Sequence, residues 1–160
     1  MIIEFTVYGL PQPAGSKRAF ALRRRDGSLV TRPGGSPVIN VTDANAKAKS
    51  WKNEVATAAQ RAIDGLLHEP FELIRGPVEL SLDFSFVRPS SHYGTGRNAG
   101  KLKASAPKYH LQKPDVLKLT RAVEDALTKI VWYDDCQIVV EGIIKCWGAN
   151  AGVTVRIQTL

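Results

Sequence analysis

Residues 113–137, KPDVLKLTRAVEDALTKIVWYDDCQ, decide how this chain is read. The stretch opens on Lys113-Pro114-Asp115, runs through one amphipathic helix and closes on an acidic pair, Asp134-Asp135, ahead of an apolar strand. Val116, Leu119, Val123, Ala126, Leu127 and Ile130 recur at three- and four-residue spacing and predict one buried stripe. Pro114 is expected in the first helical turn, where its fixed φ is already helical and its missing N–H costs nothing. Lys118, Arg121, Glu124 and Asp125 fall off the stripe. Leu117 falls off it too, beside Arg121 and Glu124, and a leucine there is an anomaly. If the strand after Asp135 folds back beside the helix start, Asp115, Asp134 and Asp135 converge on one hard cation. Mg²⁺ is the natural candidate, since it takes oxygen ligands and is usually held by one or two carboxylates plus phosphate.

Upstream of this stretch, residues 88–112 have no apolar period and are rich in Gly, Ser, Ala and Lys, which predicts a long, mobile loop. His92 and His110 within it are expected at the surface, able to touch phosphate. Val78–Val87 alternates cleanly and predicts a strand. Asp83 on its polar side is expected to be solvated rather than a further metal ligand. A first helix is expected from an N-cap at Thr42 to Gly65, burying Ala44, Ala48, Trp51, Val55, Ala58, Ala59 and Ala62. Trp51 is read as a core anchor. Ile2–Tyr8 alternates as a first strand, and Ala19–Arg24 with Ser28–Arg32 predicts a projecting hairpin across Arg25-Asp26-Gly27. The tripeptide Gly15-Ser16-Lys17 lacks the spacing of a phosphate loop. His68 is given no role. Downstream, Ile138–Trp147 and Gly152–Leu160 are expected to pair as a hairpin. Strands thus come in adjacent groups, so one α+β domain over 1–160 is favoured, with two main helices and a mixed or antiparallel sheet.

The net charge of +7 becomes informative once located. Residues 17–32 and 88–113 together hold 12 of the 22 basic residues and one of the 15 acidic ones, leaving the rest of the chain at −4. Two cationic segments flanking an acidic site favour a phosphate backbone as partner over a merely solvated face. No apolar run approaches the ~20 residues of a membrane span. The opening MIIEFTVYGL lacks the pattern of a signal peptide, so the cytoplasm of a bacterial or phage-infected cell is expected. Cys136 and Cys146 fit that setting as buried or half-buried thiols.

Lys113-Pro114-Asp115, the spacing to Leu119 and Arg121, then Asp125-Ala126-Leu127 and Asp134-Asp135-x-Gln137-Ile138 resemble the RusA family of Holliday junction resolvases, phage-type members above all. The resemblance runs from about Arg97 to Lys145, with a weaker N-terminal part. It implies a homodimeric α+β endonuclease that uses Mg²⁺, with Mn²⁺ as a substitute, to cut opposed strands of a four-way DNA junction. Family members carry Asp-x-Asp-Asn-Leu or a near variant, a later basic residue and a final Asp. Asp115 matches the first catalytic Asp, Asp135 the last, and Arg121 stands where the family has Lys. The second motif Asp falls on Leu117, which has no oxygen to offer a cation.

The resulting expectation is a structure-selective endonuclease with Asp115, Asp135 and Arg121 as catalytic residues and Asp115, Asp135 and Asp134 at the metal. Lys17, Arg18, Arg23, Arg24, Arg25, Arg97, Lys101, Lys103, Lys108, Lys113 and Lys118 are expected to hold DNA. The alternative is a catalytically impaired protein of the same fold that grips branched DNA without cutting it. A single-strand binder is disfavoured because few aromatics interleave the basic segments.

Overall fold

The computed structural model describes every residue except 16, 44 and 67–69; expectations resting on Ser16, Ala44 and His68 lie outside the described residues. In chain order the elements are β1 (Ile2–Tyr8), β2 (Lys17–Ala21), β3 (Ile39–Asp43), α1 (Ala46–Leu66), β4 (Val78–Val87), α2 (Val116–Leu127), β5 (Ile138–Gly148) and β6 (Gly152–Thr159). Four strands form one mixed sheet in the order β1-β6-β4-β5, with only β4 and β5 parallel. The α+β class and the two main helices are as expected.

The period-two pattern explains the layering. Register puts Ile3, Ile157 and Leu80 in one row across the sheet, Phe5, Val155 and Leu82 in the next, and Val7, Val153 and Phe84 in a third. All nine are buried, on the face covered by Trp51, Val55, Ala59 and Ile63 of α1 and Leu119, Val123 and Leu127 of α2. Trp51 is 2% exposed, as a core anchor should be. Glu4, Tyr8, Asp83 and Arg156 stand on the opposite face, which is open to solvent. At the β5 edge the same rows end in Glu141 beside Leu80, Ile143 beside Leu82 and Lys145 beside Phe84. Two charged side chains of an otherwise apolar strand therefore face the helix layer.

Several expectations change. β5 and β6 are not a hairpin: β4 lies between them, paired parallel to β5 and antiparallel to β6. Alternation says which face a strand buries but not which strand sits next to it. The three residues between Gly148 and Gly152 span the ~10 Å across one intervening strand, and Ser85 Oγ donates to the Asn150 carbonyl at 2.5 Å beneath them. Thr42 is not a helix cap but part of β3; the cap is Asn45, whose Oδ1 accepts from Lys47 N at 3.1 Å. Pro114 precedes the helix rather than entering it, since Asp115 supplies the N-cap and the Lys113–Pro114 bond is cis.

The expected basic hairpin is present only at its tip, with Arg23 opposite Leu29, because Ala19–Ala21 pair with Ile39–Val41 of β3 rather than with the segment after the turn. Arg24 N donates to Ser28 O at 2.8 Å across the Asp26-Gly27 turn. A second hairpin follows over Arg32-Pro33-Gly34-Gly35, where Arg32 N donates to Ser36 O at 2.9 Å. The chain then returns as β3 to pair with β2. Loop 88–112 carries its own backbone bonds, including Gly94 N to Lys101 O at 2.9 Å and Lys103 N to His92 O at 3.0 Å.

Candidate active site

Asp115 is fixed by the start of α2. Its Oδ1 accepts from Leu117 N at 3.3 Å, satisfying one of the orphan amides of the first turn. The approach to the helix is pinned by Lys145, whose Nζ donates to the carbonyl oxygens of Gln112 and Pro114 at 2.9 Å each. The segment after β1 packs beside it, with Ala14 N donating to Lys118 O at 2.7 Å. Asp115, Lys113 and Lys118 thus line a groove of about 540 Å³ walled by Leu10, Pro11, Pro13 and Phe86. Leu117 stands on the surface here, 66% exposed, as its offset from the buried stripe requires.

The other acidic residues lie past the far end of the same helix. Asp134 caps a single 3-10 turn, Asp135–Gln137. Its Oδ1 accepts from Cys136 N at 3.0 Å, and that bond holds the carboxyl below the usual carboxylate range. Gln137 completes the cap: Oε1 accepts from Tyr133 N and Asp134 N, while Nε2 donates to the Ile74 and Gly76 carbonyls. Asp134 and Asp135 open into a cleft of about 660 Å³ with Arg121 and Asp125 from α2, Lys52 from α1, and Lys17, Val41 and Thr42 from the foot of the β2–β3 ribbon. Lys52 Nζ reaches Asp125 Oδ2 at 2.6 Å and ties the two helices together at the cleft wall. Three carboxylates and three cations share this one space.

Among the described residues of one chain, then, Asp115 lines a different cleft from Asp134 and Asp135. β5 does run back beside the helix start, but it arrives there with Lys145, while Asp135 precedes its opposite end. Asp125, which borders the Asp135 cleft, is ten residues from Asp115, or about 15 Å along the axis of α2. Among the described residues no group of three His, Cys, Asp or Glu side chains is placed to hold a metal ion. The chemistry of the donor set nonetheless suits a hard divalent cation. Asp134 and Asp135 present adjacent carboxylate oxygens to an open cleft, and Mg²⁺ needs no more than that plus substrate phosphate.

Sequence reasoning missed a second acidic pair. Glu124 on α2 and Glu141 on β5 interact electrostatically across the seam between helix and sheet edge. Burial first, then the charges of Glu141, Asp135 and Asp125, push Glu124 up to about 7; Arg121 opposes the shift. Burial also raises Glu141. The available signal was a glutamate inside the apolar run Ile138–Ile144, although the β4–β5 register is needed to bring it to Glu124. Lys52 had no signal, since nothing in α1 marks one surface lysine above another.

The cationic segments surround these features unevenly. Lys17 lies at the cleft foot, and Arg18, Arg23, Arg24 and Arg25 are exposed on the ribbon. Arg23 spends part of its guanidinium on its own turn, donating to Gly27 O at 2.8 Å. Arg97, Lys101, Lys103 and Lys108 sit on the 88–112 loop, with Lys103 Nζ donating to Ser91 O at 2.9 Å. Of the two histidines in this loop, His110 is buried rather than at the surface and His92 is half-buried. His110 is 6% exposed, its ring 4.3 Å from both Phe86 and Trp147, and His92 meets Trp147 edge-on at 5.1 Å. Burial, then the Lys145 ammonium, lowers the His110 pKa. Cys136 is exposed rather than buried, and the neighbouring Asp134 carboxylate raises its thiol pKa. Cys146 is half-buried.

Comparison with known proteins defines the class first: the chain falls in a family of endodeoxyribonucleases. The family model described as endodeoxyribonuclease RusA matches residues 30–158, and the chain belongs to the RusA family. A curated relative, uncharacterized protein YqaN of Bacillus subtilis (strain 168), is 32% identical over 163 residues, covering 98% of this chain and 95% of the relative. No helix among the described residues is long and apolar enough to cross a membrane.

Proposed function

We propose that this chain is a Mg²⁺-dependent, structure-selective endonuclease that resolves four-way DNA junctions as a homodimer. The observation that carries the reading is the cleft in which Asp134 and Asp135 face Arg121, Lys52 and Lys17. Asp135 and Asp134 are the cation's ligands from this cleft. Held there, Mg²⁺, or Mn²⁺ in its place, would supply the chemistry of an activated water and of charge neutralisation at the phosphate. Arg121 donates to the phosphate oxygens as charge builds there, with Lys52 and Lys17 adding positive potential at the cleft wall. Lys118 and Lys113 do the same in the Asp115 groove.

Asp115 enters the site from a second copy. β5 is one of the two edge strands of the sheet, opposite β1, and its Val139, Val140 and Ile144 leave 60%, 46% and 55% of their surface in solvent. Such an edge is a template for another strand. Antiparallel pairing of β5 with the β5 of a second copy lays the start of one strand, preceded by Asp135, beside the end of the other. There Lys145 holds the segment that leads into Asp115. Two equivalent sites result, matching the two-fold symmetry of a junction. Val140→Lys with Ile144→Lys is expected to leave a folded monomer by sedimentation that no longer cuts a junction. A monomer that cuts as well as the parent removes the shared site.

A second reading rests on Leu117. A leucine 66% exposed in the first turn of α2, where the family motif has a carboxylate, suits a protein that grips branched DNA without cutting it. Incubation of a labelled junction with Mg²⁺ separates the two readings. Paired nicks near the branch support the nuclease; retardation without product supports the binder.

A further inference from the structure

The arm between β1 and α1 has a shape that the cleavage chemistry does not require. Three short ladders meet at one point: Leu22 N donates to Val38 O, Val30 N to Leu22 O and Val38 N to Val30 O, at 2.9, 2.9 and 2.8 Å. This triangle of bonds splits the arm into a stem, β2 with β3, and two hairpin lobes tipped by Arg25-Asp26-Gly27 and Pro33-Gly34-Gly35. No described residue from 17 to 42 is buried, so the arm stands off the body of the protein. It holds six cations, Lys17, Arg18, Arg23, Arg24, Arg25 and Arg32, against Asp43 at the foot of the stem and, in the lobes, the single carboxylate of Asp26. That carboxylate is committed to its turn, accepting from Ser28 N at 2.9 Å and Ser28 Oγ at 2.6 Å. The guanidinium groups of Arg24 and Arg25 make no hydrogen bond or ion pair among the described residues. The first lobe also precedes residue 30, where the family match begins.

We infer that the first lobe of this arm is a second, remote DNA contact, gripping the phosphate backbone of a duplex arm several base pairs from the cleavage site. Charge complementarity selects a polyanion. The foot of the arm fixes where that polyanion lies, because Lys17, Val41 and Thr42 form one wall of the cleft that holds Asp134 and Asp135. From Lys17 to Arg25 an extended chain reaches at most about 26 Å. Phosphates on one strand follow one another every ~3.4 Å along the duplex axis, so the lobe meets the backbone up to about seven base pairs from a phosphate seated in the cleft. The lobe then sets affinity and orientation on the duplex, while hydrolysis stays with the cleft.

The inference takes the identity of the polyanion from the proposed function but not the activity, and its test is run in EDTA so that cutting plays no part. Binding of the full-length chain and of Arg24→Ala/Arg25→Ala is measured on four-way junctions carrying neutral methylphosphonates either at the branch or five to eight base pairs out along one pair of arms. The double variant is expected to lower the salt slope of binding by about 2 for each copy bound to the unmodified junction. The remote neutral patch should weaken the parent and leave the double variant unchanged, whereas the branch patch should weaken both. Arg24→Lys/Arg25→Lys, which keeps the charges, should bind as the parent does. A remote patch that costs the parent nothing, or costs parent and double variant equally, overturns the inference. Parallel incubation with Mg²⁺ tests cutting separately, so a chain that never nicks a junction can still show the remote contact.

Discussion

At the scale of single residues the chemistry turns on Leu117 and Glu124. Leu117 occupies a surface position one residue past the start of α2, where a carboxylate would be solvated at no cost in packing. Replacing it with Asp is therefore expected to leave the fold intact. It should raise Mg²⁺-dependent junction cleavage about tenfold or more, since 1.4 kcal/mol of added transition-state binding suffices for that. Equal cleavage rates for parent and variant would show that position 117 is not a ligand position. Glu124 gives a pH effect. Its carboxyl titrates near 7 in the folded chain, against 4.5 for the free group, because burial and neighbouring acids disfavour the charge. Between those values the folded state holds a proton that the unfolded chain releases, so this group's contribution is full below pH 4.5 and is lost as pH rises through 7. Glu124→Gln is expected to raise the melting temperature at pH 8 and to change it little at pH 4.5. Thermal melts across that range check the sign.

At the scale of elements the sequence was most legible where one physical pattern acts alone. Val78–Val87 was bounded correctly because strict alternation inside a strand buried on one face leaves no second interpretation. The stripe of α2 was legible for the same reason, and so was the exposure of Leu117. Legibility failed where the answer lies in which elements are neighbours. The β5–β6 pairing was misread because β4 inserts between two strands that are consecutive in the chain. The second lobe of the arm rests on a single bridge between Thr31 and Pro37, which no apolar alternation announces. His110 was misplaced because a histidine in a polar loop carries no sign of the apolar nest formed by Phe86 and Trp147. The strand-crossing turn makes its own prediction. A Cβ at Gly152 would collide with the Val7 carbonyl oxygen, a rigid backbone atom. Gly152→Ala should cost about 1–3 kcal/mol in a denaturant melt, within the range of single substitutions that force a packed backbone apart.

At the scale of the whole molecule, charge and symmetry organise the account. Cationic side chains occupy the ribbon, the 88–112 loop and the rim of the Asp115 groove, while Glu4, Glu79 and Asp83 lie on the open face of the sheet. The polyanion therefore meets the helix side of the molecule. If about six of those cations meet phosphates, binding should weaken with salt at a slope near −5; a flat response would argue against backbone contacts. The separation of Asp115 from Asp135 within one chain makes the sharpest demand, since the proposed site closes only if two copies share it. Asp115→Asn and Asp135→Asn chains, each inactive alone, are mixed under conditions that exchange subunits and assayed with Mg²⁺ on a labelled junction. Mixed dimers should recover nicking, because each contains one site with both carboxylates. A mixture as inactive as its two components, while the unmodified chain cuts, would contradict a site shared between subunits.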